Sequence, residues 1–141
     1  MKTTAFAMTF LMALSAMAGS SSTRVPASVT KLTVQCTPPK GFAGLSATVS
    51  GELKLSAIPN GAAKATGKLQ VSLNDPRNPW KGEKTVLGQY DDLTSVGSDR
   101  YFHGGATMKN DSDVLEIYVN YTRSDLSYVE YAGETYKMSC K

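Results

Sequence analysis

The sequence predicts an all-β fold, an antiparallel up-and-down barrel of about eight strands, with a two-layer β-sandwich as the alternative. Three observations predict it. Apolar and polar residues alternate with a period of two. Turn-forming residues punctuate that alternation. A cysteine ends both the first and the last strand on its apolar side.

The alternation is clearest between positions 45 and 57. Leu45, Ala47, Val49, Gly51, Leu53, Leu55 and Ala57 interleave with Ser46, Thr48, Ser50, Glu52, Lys54 and Ser56. A helix would scatter the two sets around its axis, whereas a strand sends them to opposite faces. One face buried and one face wet is the antiparallel signature, because parallel strands are apolar on both sides.

Ahead of this strand, Val29 to Cys36 places Leu32, Val34 and Cys36 on one side. Thr37-Pro38-Pro39-Lys40-Gly41 ends it, since proline cannot donate to a ladder. After Ala57, Pro59-Asn60-Gly61 supplies residues that tolerate positive φ and predicts a hairpin. Its second arm carries Leu69, Val71 and Leu73 against Lys68, Gln70 and Ser72. The run Asn74 to Gly82 holds two prolines and reads as a long loop with Trp80 in it.

A weaker strand covers Lys84 to Tyr90, and Asp91 to Asp99 has room for a helical turn. Arg100 to Lys109 is the next strand. Asn110-Asp111-Ser112-Asp113 turns, because short polar side chains bond their own backbone. Then Leu115, Ile117, Val119 and Tyr121 alternate with Val114, Glu116, Tyr118 and Asn120, the most β-prone stretch of the chain. Arg123 to Leu126 turns. Ser127 to Tyr131 and Glu134 to Cys140 form a last hairpin around Ala132-Gly133.

Cys36 and Cys140 are the only cysteines, 104 positions apart. An even count in an exported chain predicts one disulfide. A barrel brings its first and last strands together, so the bridge would fasten the seam. A sandwich would use it across its layers.

Export is read from the start of the chain. Lys2, the apolar run Ala5 to Leu14 and Ala16-Met17-Ala18 predict a signal peptide over residues 1–18. The run is too short to span a bilayer, which needs roughly 20 residues. Residues 19–28, rich in Ser, Thr, Ala and Gly, predict a flexible lead-in, and 29–141 a single β domain. The expected location is periplasmic or extracellular, with no transmembrane segment in the mature chain. A membrane barrel would turn its apolar band outward behind aromatic girdles, which are not visible here.

Composition narrows function by exclusion. The chain has 15 basic and 12 acidic residues, interleaved, for a net charge of +3. A nucleic-acid partner would require a dense basic stripe. A lone histidine, His103, excludes the two-histidine zinc motifs. No Gly-x-Ser-x-Gly elbow or phosphate-cradling loop is present, and no cofactor or metal is implied. Asp111, Asp113 and Glu116 lack the spacing of a calcium loop. Asn110-Asp111-Ser112 and Asn120-Tyr121-Thr122 match the N-glycosylation triplet.

Tyrosine is the strongest residue signal. Tyr118, Tyr121, Tyr128, Tyr131 and Tyr136 crowd the final hairpins, preceded by Tyr90 and Tyr101. Both parities are represented, so some rings face outward, where the ring covers area and the hydroxyl stays wet. The candidate binding residues are therefore Trp80, Tyr118, Tyr121, Tyr128 and Tyr131. The expected function is a non-enzymatic binding or interaction protein that presents a loop or a tyrosine-rich surface to a protein partner, such as a secreted hydrolase that it inhibits. Two alternatives are a small-ligand carrier with a cavity lined by Leu45, Val49, Leu69 and Leu115, and a hydrolase with a site assembled around His103.

Overall fold

The computed structural model describes residues 30–57, 62–92, 99–107 and 114–141. Among the described residues nine strands run in chain order: β1 (Lys31–Thr37), β2 (Ser46–Ala57), β3 (Ala63–Asn74), β4 (Trp80–Asp92), β5 (Arg100–Thr107), β6 (Val114–Asn120), β7 (Tyr128–Tyr131), β8 (Glu134–Lys137) and β9 (Ser139–Cys140). A 3₁₀ turn, Ser124–Leu126, lies between β6 and β7.

From β1 to β8 each strand pairs antiparallel with the next in sequence, and the sheet curls until β8 meets β2 at Lys137 and Ser46. Hydrogen bonding thus runs in a ring through 7 strands. β1 occupies the same edge of β2, further along, from Cys36↔Val49 to Lys31↔Lys54. β9 continues β8 and pairs with β1 at Cys36↔Cys140 and Thr37↔Ser139. The disulfide therefore joins first and last strands across the seam, with Cα atoms 4.0 Å apart.

The inward side of most strands is the apolar side. Leu53, Leu69, Phe102, Leu115, Ile117, Tyr136 and Met138 are fully buried in one continuous cluster. The outward side of β2 and β3 carries Ser50, Glu52, Lys54, Lys64, Lys68 and Gln70, all exposed. This is the reverse of a barrel that faces lipid. Among the described residues no helix is long and apolar enough to cross a membrane.

Two devices curve and close the sheet. Gly88 and Gly104 face each other inside the barrel, and the Phe102 ring lies over both. A side chain at 104 would stand 2.6 Å from that ring and 2.9 Å from the Gly88 Cα. The missing Cβ atoms are what let β4 and β5 bend closely there. In the β7–β8 hairpin, Ala132 (φ 50°) and Gly133 (φ 77°) are both left-handed. That is the turn whose twist matches two antiparallel strands.

The structure adjusts several expected boundaries. The loop after β3 is only Asp75 to Pro79, because Trp80 and Gly82 already belong to β4. The last strand is broken at Met138, whose N–H turns to the Ser127 carbonyl at 3.1 Å. The expected leader and flexible segment, the 58–61 turn, the helical turn within 93–98 and the 110–113 turn lie outside the described residues.

Candidate functional site

The side chains of β5, β6 and β7 that do not enter the core form the outer face of this part of the barrel. Register fixes which ones meet. Gln89 lies opposite His103, His103 opposite Tyr118, and Tyr118 opposite Tyr128. Tyr101 sits opposite Asn120, one outward position from His103 along β5. Directly opposed side chains on antiparallel strands are close enough for rings to touch.

They do touch. Tyr118 stacks on Tyr128, with centroids 5.3 Å apart and planes at 27°. On its other side Tyr101 lies 5.7 Å away at 33°. His103 approaches the same ring edge-on at 6.0 Å. The three tyrosines are half-buried and His103 is exposed, so each tyrosine keeps part of its surface toward solvent. Burial is the main cause pushing the Tyr101 and Tyr128 phenols upward; neighbouring carboxylates, Asp91 for one and Glu130 then Glu116 for the other, add to it. Both hydroxyls therefore stay protonated at neutral pH and serve as donors.

Beside the rings is a surface depression of about 460 Å³, lined by Lys64, Leu87, Gly88, Gln89, Asp91, Tyr101 and His103. Gln89 Nε2 donates to Asp91 Oδ2 at 3.2 Å, which holds both polar groups in place. Leu87 and Val114 are 54% and 57% exposed on this same outer face. Next to it, Glu116 and Glu130 lie directly opposite one another on β6 and β7. The His103 imidazole comes near Glu116, with Nε2 at 3.9 Å from Oε2.

Asn120 secures the end of the face. Its side chain is buried and fully used. Nδ2 donates to Asp99 at 2.8 Å and to the Tyr118 hydroxyl at 3.2 Å. Oδ1 accepts the backbone N–H groups of Thr122 at 3.0 Å and Arg123 at 2.7 Å. Asparagine is suited to this because its side chain can mimic a turn of backbone. The glycosylation triplet at 120–122 is thus a structural element of the folded chain, with no room for a glycan on Asn120. The Arg123 guanidinium, then Asn120, holds the Asp99 carboxyl below the usual carboxylate range.

Of the expected binding residues, the structure brings Tyr118 and Tyr128 together on the face and sends the other three elsewhere. Tyr121 turns to the barrel end, edge-on to Tyr90 at 6.1 Å, and its hydroxyl donates to the Thr33 carbonyl at 3.0 Å. Burial, above all, drives its phenol far upward. Tyr131 and Trp80 pack against the core, and the Lys84 ammonium lies over the Trp80 ring at 5.3 Å. The expected presenting loop is strongly braced. Asp75 is buried and accepts from the Arg77 backbone at 2.9 Å, its guanidinium, and the Tyr136 hydroxyl at 3.0 Å. Arg77 also reaches Glu134 at 3.2 Å. The residues expected to line a carrier cavity divide: Val49, Leu69 and Leu115 are fully buried within the core, and Leu45 is partly buried against it.

Tyr101, His103, Gln89 and Asp91 were not singled out as binding residues by sequence. Their outward parity was readable, but the register that assembles them depends on how β4, β5 and β6 slide against each other. Comparison with protein-family models, curated proteins and solved structures returns no match.

Proposed function

We propose that this is an exported, non-enzymatic binding protein that meets a protein partner through the outer face of β4 to β7. The observation that carries the reading is the contiguous row of Tyr101, His103, Tyr118 and Tyr128, half-exposed beside a depression. Tyrosine on a rigid surface is the residue most suited to contact, since it buries large area at small cost in side-chain freedom. The rings here are already ordered by one another, so little further ordering opposes binding. Leu87 and Val114 add apolar area at the margin, and such exposed apolar groups collected together mark interaction surfaces. Export is supported by the disulfide, which oxidising compartments favour.

The test is site-specific photo-crosslinking in the native host. A photoreactive phenylalanine analogue is placed at Tyr128 and, as a control on the far wall, at Lys54. The expected result is a discrete covalent adduct with one exported protein from position 128 and none from position 54. Equal labelling from both positions, or no adduct from 128, overturns the proposal.

A further inference from the structure

We infer that the partner presents a basic segment of polypeptide, with an arginine or lysine side chain set against Glu116, Glu130 and the tyrosine row. This rests on the face proposed above and names the chemistry of what covers it. The two carboxylates oppose each other directly across β6 and β7, an arrangement that is unfavourable for like charges. Among the described residues no lysine or arginine forms an ion pair with either. The other cations near acids are engaged elsewhere: Lys31 with Glu52, Lys68 with Glu83, Arg77 with Asp75 and Glu134, Arg123 with Asp99. Lys137 lies opposite Tyr128 on the adjacent strand, yet its ammonium sits over the Phe42 ring at 5.5 Å. Among the described residues, the basic group beside the pair is the His103 imidazole, 3.9 Å from Glu116 and cationic only when protonated, so the two carboxylates lack a permanent counter-charge.

The surroundings suit a guanidinium in particular. It forks onto carboxylate oxygens and packs against aromatic rings, and Tyr118 and Tyr128 lie one outward position away along the same two strands. Two residues along a strand is about 6.6 Å, within reach of one extended side chain. Val114 and Leu87 offer apolar surface to the aliphatic stem. The depression beyond His103, with Asp91 and Lys64 on its wall, leaves space for a neighbouring partner side chain.

The probe is a fluorescent peptide of alternating Arg and Gly, with a Glu-for-Arg counterpart, followed by anisotropy on the exported protein. The expected result is saturable binding of the arginine peptide, weakened about tenfold in E116Q/E130Q and unchanged in E52Q on β2, on the far side of the ring. Glutamine keeps the shape of these exposed side chains, so the fold is not at stake. Equal binding to E116Q/E130Q, or equal loss in E52Q, overturns the inference. The crosslinking assay separates the two levels. An adduct at 128 that forms equally in the E116Q/E130Q background removes the basic segment and leaves the face standing. No adduct in the unsubstituted protein removes both.

Discussion

Asp75 shows how much one side chain can organise. It is buried at the rim of the barrel, and its carboxylate ties the β3–β4 loop to Tyr136 on β8. Its partner Arg77 extends the link to Glu134. The Arg77 guanidinium, aided by the Arg77 N–H, holds the Asp75 carboxyl below its ordinary range against the opposing push of burial. A depressed native value means that the stabilisation is complete above the unfolded-state value, about pH 4, and is lost as pH falls through the native value. Asp75→Asn is therefore expected to lower the thermal midpoint at pH 7. The gap from wild type should close as pH drops below about 4. Thermal melts followed by circular dichroism between pH 2 and 7 check this, and a gap independent of pH would contradict it. None of this was visible in the chain before folding. Asp75 followed by Pro reads as a turn residue, and nothing local says that Tyr136, 61 positions away, will close over it.

The strands themselves were legible, because each carries its own pattern. Leu45 to Ala57 could be assigned to two faces from parity alone, and β2 obeys that assignment. β4 extends beyond its legible pattern, since Trp80, Gly82 and Lys84 put an aromatic, a glycine and a cation on the inward parity. There the Lys84 stem and the Trp80 ring cover the barrel end together, a compromise that does not look apolar on paper. The pairing of β4 with β5 was the larger blind spot. It depends on Gly88 and Gly104 meeting beneath Phe102, and that contact also sets His103 and Gln89 side by side on the outside. Gly104→Ala is expected to destabilise the fold by about 1–3 kcal/mol through overpacking, because the fully buried Phe102 ring cannot retreat. Urea unfolding measures it. A neutral result would mean that the two strands separate more easily than their packing implies.

For the molecule entire, closure is the governing property. Nearly every strand finds its partners by following the chain, and only the closing steps, β8 onto β2 and β9 onto β1, are long-range. The sulfur bridge fixes that step with 104 positions between its ends. A loop of that size is constrained in the unfolded chain by ~4.7 kcal/mol in the entropy model, and native bridges of small exported domains typically contribute about 2–5 kcal/mol. Replacing both cysteines, Cys36→Ala with Cys140→Ala, is expected to cost stability in that range, read by denaturant titration. A change below about 0.5 kcal/mol would show that the seam holds without the bridge. The pairing of these cysteines was foreseeable because both end apolar faces of terminal strands. The tyrosine face was foreseeable only in part, since it needed the whole ring to form before Tyr101, His103, Tyr118 and Tyr128 became neighbours.

The same bridge makes the polypeptide a covalent loop from one sulfur to the other. A protease that cleaves once anywhere inside that loop, for example in the connection between β2 and β3, releases no fragment. Both new ends remain tethered in one body, held in the same sheet. Release of a fragment then requires a second incision or a reductant.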